Sequence, residues 1–169
     1  KSLLFIFVLS KFPSKLDSAE AWYLVRKNSW GENISKYIQK FTDSKDAFHY
    51  KYDIKSNDNE CAVKSLCIGL CFFGIKNRKT LINVSTRISK ITHNSPIGVL
   101  GGLTTALFTA FTIEKINLHK WPFELIKILK SKEVKNKIDK ENLDEYSDYL
   151  LYINYWEKYI ELRFKDTKV

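Results

Sequence analysis

A chain of 169 residues, 44% hydrophobic and 14% aromatic, is long enough to bury a core and too apolar for a disordered segment. Three cysteines are too few, and odd in number, for a disulfide framework. The net charge of +9 raises nucleic acid or an acidic membrane as partners, but it is carried mainly by lysines interspersed with Glu and Asp.

Arginine occurs only at Arg26, Arg78, Arg87 and Arg163. Phosphate and base recognition favours the arginine fork, so the expectation is a solvated basic surface with no nucleic-acid and no membrane partner. Helix formers dominate over 6 Gly and 3 Pro, which predicts an all-α fold. The cysteines, Cys61, Cys67 and Cys71, are expected to be reduced and buried in a cytoplasmic protein.

Lys1 opens into the apolar run at residues 3–9, which is too short to span a bilayer and reads as a core helix over residues 2–10. A chain without any Met is expected to be a processed or excised piece. Pro13 ends that first helix. Ala21, Leu24 and Val25, with Trp22 and Tyr23, predict an amphipathic helix over 17–28. A turn at Asn28–Gly31 follows, then a short helix over 33–41 carrying Ile34, Tyr37, Ile38 and Phe41. Residues 42–59 are polar and aperiodic, a long loop that ends in the helix-capping run from Ser56 to Glu60.

Residues 60–73 predict a small-residue helix, with Cys61, Ala62, Leu66, Cys67, Leu70 and Phe73, stopped by Gly74. Residues 78–91 predict an amphipathic helix through Leu81, Ile82, Val84, Ile88 and Ile91. Ser95 is expected to cap the next helix, with Pro96 at its first position, where a missing N–H is harmless. Gly98, Gly101 and Gly102 inside that helix each cost about 1 kcal/mol relative to Ala, which is tolerable where a neighbouring helix must come close. Trp121-Pro122 predicts a short helix to Leu129, followed by a Lys-rich polar segment over 130–142. The last predicted helix, 143–164, carries Leu143, Tyr146, Leu150, Ile153, Trp156, Tyr159 and Ile160 as core.

His93, just before a helix N-terminus, is a candidate ligand contact. It can donate or accept near neutral pH, and the helix start behind it offers free N–H groups and a positive dipole end suited to phosphate or ribose oxygens. The ordinary alternative for a lone His at such a place is a structural role. Asp58 and Glu60 fit a cap and a favourable charge at a helix start better than a metal site. No glycine-rich phosphate loop and no Ser-His-Asp or Cys-His order occurs.

The run Leu66–Leu70, then Ile88–Pro96 with Gly98-Val99-Leu100-Gly101, then Ala106–Phe111, resembles the ADP-ribosylglycohydrolase family. The aromatic stretch Tyr155–Arg163 resembles the ADP-ribosylarginine hydrolase branch. The resemblance covers roughly Leu16 to Lys165. It implies an all-α fold, here a single domain over 1–169 that forms the central part of a family domain. It implies hydrolysis of the N-glycosidic bond between ADP-ribose and an arginine side chain, with ADP-ribose or ADP-ribosylated arginine on proteins as the partner.

The family uses a magnesium pair held between a Thr/Ser-Asp-Asp cluster and an Asp-x-Asp-Ser/Thr cluster. Neither pattern occurs in this sequence. The resemblance therefore implies magnesium for the complete protein, with no metal ligand, no catalytic residue and no turnover expected from these 169 residues. It implies Gly31, Asn59 and His93 as substrate-binding residues. The sequence departs from the family pattern in several places: of the glycine-rich turn at Trp30-Gly31-Glu32-Asn33, Gly31 alone survives, Glu60 stands where a glycine is usual and Lys64 where an arginine is usual. They favour, as the alternative, a catalytically dead relative that binds ADP-ribose or serves as an interaction scaffold.

Overall fold

The computed structural model describes residues 60–138 and 141–164. The expectations for residues 1–59, including Gly31 and Asn59, lie outside the described residues. All described residues belong to one compact unit, Tyr52–Val169.

Within them the chain is helical without a strand: α1 Glu60–Cys71, a 3-10 turn Ile75–Asn77, α2 Arg78–Thr92 and α3 Pro96–Ile113. A second 3-10 turn, Leu118–Lys120, leads into α4 Trp121–Leu129, the one-turn α5 Lys132–Lys135 and α6 Leu143–Phe164. The all-α reading therefore holds, and the bounds of α2, α4 and α6 and the start of α3 agree with the sequence reading to within a residue.

α3 is the centre, packed by α1, α2, α6 and α4. By length and composition it could cross a membrane, with a mean hydropathy of 1.6, yet 61% of it is buried inside the protein. A helix that is apolar all round is what a core needs when neighbours stand on every side. Leu100, Leu103, Ala106, Leu107 and Ala110 are fully buried, joined by Leu81 and Ile82 of α2 and Leu125 and Leu129 of α4.

The α1–α3 seam is close. A Cβ on Gly69 would fall on the Ala106 carbonyl oxygen, nearer than real Cβ contacts come, and would lie 2.6 Å from Thr109 Cβ. A Cβ on Gly102 would lie 2.6 Å from Ser89 Oγ and 2.8 Å from both Cys61 Sγ and Ser65 Oγ. Gly101, by contrast, has open space where a Cβ would go. Only Gly102 of that pair meets the close approach the sequence leads one to expect.

This spacing puts small residues of α1 inside, Cys61 among them as expected. Cys61, Ser65 and Ile68 are buried, whereas Leu66, Leu70 and Phe73 stand exposed. A seam this tight admits only small side chains, so the larger ones turn outward. Cys67 is half-buried and Cys71 exposed, so of the three free thiols only Cys61 is in the core.

A similar correction applies to α6. Tyr149 and Ile153 are its buried residues, while Leu143, Leu150 and Tyr159 face solvent. The polar segment before α6 is not wholly surface either, because Val134 and Ile138 join the core.

Two turns fix the ends of the seam. Gly74 sits at φ +91°, a conformation other residues rarely adopt, and its N–H donates to Glu114 Oε1 at 2.7 Å. The same carboxylate accepts from Arg78 at 2.7 Å, and the Arg78 guanidinium lies 4.9 Å over the Phe111 ring. Glu114 thus ties the loop after α1 and the start of α2 to the end of α3.

Candidate functional site

The α2–α3 junction carries the one candidate contact that the structure describes. α2 ends at Thr92 and His93 leaves it in extended backbone (φ −129°, ψ 107°), its N–H still donating to the Ser89 carbonyl at 2.8 Å. Ser95 is also extended (φ −116°, ψ 139°) and Pro96 begins α3. Two extended residues flanking Asn94 turn the chain from one helix into the other, and proline at the first position presets the helical φ.

His93 is fully buried, as are Ser95, Ser85 and Ser89 beside it and Ser65 across the seam on α1. Ser95 holds the N-cap position without a side-chain capping bond, so its hydroxyl does not do what the sequence suggests. The hydroxyls of Ser65, Ser85, Ser89 and Ser95 are buried without a hydrogen-bond partner among the described residues. Ser65, Ser89 and Cys61 converge on Gly102, which makes the floor behind the junction polar, small and tightly packed.

The chemistry offered here is hydrogen-bond donation. The first N–H groups of an α-helix have no intrahelical acceptor, and the 18-residue α3 aims its positive end at this junction. A phosphate or sugar oxygen suits such an end.

Among the described residues no three His, Cys, Asp or Glu side chains come together. No step of chemistry is therefore assigned to a metal here.

Reasoning from the sequence missed two features. The first is the hydroxyl-lined seam. Its signal is a small residue every fourth position, Cys61-Ser65-Gly69 on α1 and Gly98-Gly102-Ala106 on α3. The second is an open groove of about 810 Å³ between the Leu118–Lys120 turn, α4 and the end of α6, lined largely by aromatic rings. The rings on α6 read as core because aromatic residues at helical spacing usually are.

Comparison with known proteins bears on the same segment. The ADP-ribosylglycohydrolase family model matches residues 10–157. A putative ADP-ribosyl glycohydrolase, L444, of Acanthamoeba polyphaga mimivirus is 38% identical over 117 residues, 67% of this chain and 23% of that protein. The ADP-ribosylhydrolase ARH1 of Dictyostelium discoideum is 32% identical over 108 residues, 60% of this chain and 28% of that protein. The chain thus spans about a quarter of the length of these relatives. With the family model covering most of its residues and the helical architecture in agreement, the chain belongs to the ADP-ribosylglycohydrolase family.

Proposed function

We propose that this chain serves an ADP-ribosyl glycohydrolase of the arginine-directed kind, cleaving the bond between the anomeric carbon of the terminal ribose of ADP-ribose and a guanidino nitrogen. Water adds to that carbon, the C–N bond breaks, and the nitrogen leaves with a proton, giving ADP-ribose and free arginine. Family membership supports the reaction class, and the likeness to a protein named ARH1 supports the arginine branch. The observation that carries the reading is the His93–Pro96 junction, where a buried histidine and the free end of α3 form an anion-suited corner.

In this reading the N–H groups at the start of α3 receive a phosphate or ribose oxygen, and His93 orients that corner from within. Asn59 and Gly31 complete the ADP-ribose contacts. Magnesium belongs to the complete protein, where it would orient ribose hydroxyls and water. The isolated chain binds ADP-ribose without turnover.

Calorimetry with ADP-ribose tests the binding. His93→Gln, which keeps a polar side chain in the buried position, is expected to weaken affinity about tenfold, equivalent to about 1.4 kcal/mol. Unchanged affinity with a folded variant would assign His93 a structural role alone. Release of ADP-ribose from modified arginine by these 169 residues with Mg²⁺ would overturn the expected lack of turnover.

A second reading, a catalytically dead binder or scaffold, is favoured by Glu60 at the first position of α1. A carboxylate there adds negative charge where a diphosphate is expected. Glu60→Gly should raise ADP-ribose affinity on this reading and leave it unchanged or lower on the first.

A further inference from the structure

We propose that the aromatic groove between the Leu118–Lys120 turn, the start of α4 and the last turns of α6 binds a nucleoside phosphate, its base among the rings and its phosphate on Arg163. The groove has a volume of about 810 Å³, within the range that small-molecule sites occupy. Six of its lining residues are Phe, Tyr or Trp, and the only charged or titratable polar groups besides the tyrosines are His119 and Arg163. No carboxylate lines it among the described residues.

The rings are held in place before any ligand arrives. Phe108 meets Trp121 at 5.1 Å and Trp156 edge-on at 5.7 Å, and Trp156 meets Tyr159 edge-on at 5.6 Å. The Trp121 indole is fixed by its N–H donating to the Ile116 carbonyl at 2.9 Å. Such ring contacts fix the orientation of the aromatic walls relative to one another.

Tyr155, Tyr159 and Arg163 recur every fourth residue and so share one face of α6. Tyr155 is 66% and Tyr159 43% exposed, and Arg163 is exposed with no ion-pair partner among the described residues. Aromatic faces beside an unpaired guanidinium complement a flat aromatic group that carries negative charge. A proline-rich or aliphatic segment would use the rings but give Arg163 no acceptor.

The groove is separate from the α2–α3 junction. Phe108 lies twelve residues beyond Pro96 on α3, about 18 Å along the helix axis. The proposal therefore stands or falls independently of the ADP-ribose reading at His93.

Calorimetric titration of the 169-residue chain with AMP, adenosine and inorganic phosphate at low salt tests it. AMP is expected to bind, adenosine to bind about tenfold more weakly, and phosphate alone weakest. Arg163→Ala should bring AMP down to the adenosine level and leave adenosine unchanged, whereas Tyr155→Ala should weaken both. These positions are exposed, and circular dichroism confirms that the variants keep their helices. Lack of AMP binding would overturn the proposal, as would binding undiminished in both variants. Phosphate binding as tightly as AMP would reduce the groove to a cation, and binding of oligoadenylate without AMP would point to a strand instead. His93→Gln, as a control, leaves AMP binding at the groove intact.

Discussion

At Tyr149 a single hydroxyl ties α6 to the end of α4. The ring is fully buried and its O–H donates to the Leu129 carbonyl at 3.0 Å. Burial, and then the neighbouring Tyr146, push its ionisation above the ordinary value of 10.0. Because the folded state favours the protonated form, this contribution is whole below pH 10 and is lost as the pH climbs past that value. Tyr149→Phe leaves the Leu129 carbonyl without that donor and should cost about 1 kcal/mol in urea melts at neutral pH. It should also flatten the loss of stability at alkaline pH, and an unchanged alkaline slope would assign that loss elsewhere. Tyr152 is a second raised hydroxyl, pushed up by burial, and it shares a 2.8 Å hydrogen bond with Thr104 of α3.

Among the elements, the α1–α3 seam decides how the helices stand. Its glycines separate cleanly by what a methyl group would meet. Gly69→Ala would press on backbone, the Ala106 carbonyl, which cannot rotate away, and should cost about 1–3 kcal/mol. Gly102→Ala would meet the ends of Ser65, Ser89 and Cys61, which can turn, and should cost less. Gly101→Ala enters open space in a helix interior and should stabilise by about 1 kcal/mol. Thermal or urea unfolding of the three variants gives the order, and equal effects would mean the seam is looser than drawn.

Across the molecule, what is described is a helical unit around α3 with a polar corner at one end of that helix and an aromatic groove toward the other. The corner offers donors and the groove offers rings and a cation, but no described cluster offers carboxylates to a metal. The thermal midpoint of the chain should accordingly be unmoved by millimolar Mg²⁺ or by a chelator. A rise of several degrees with Mg²⁺ would place a metal site within these residues.

Local patterns were legible without coordinates. Proline at 96 and at 122 marks the starts of α3 and α4, because these residues act through their own backbone. The family likeness was legible at Thr92–Gly101 for a similar reason, being carried by residue types at fixed spacing.

The faces were not legible. Leu66, Leu70 and Phe73 are larger and more apolar than Ser65 and Gly69, yet the second pair is inside. Separation of the helix axes decides this: when backbones come close, the cost of overlap exceeds the gain from burying a larger side chain. The same holds for Tyr159, which periodicity assigns to a core and packing leaves on the wall of a groove. The sequence by itself thus determined the long helices among the described residues, the starts of α2, α3, α4 and α6, and the family, since those follow from backbone preference and residue order. Only the tertiary structure decided which face of each helix is interior, that His93 is buried, and where open aromatic surface remains, since those depend on distances between segments far apart in the chain.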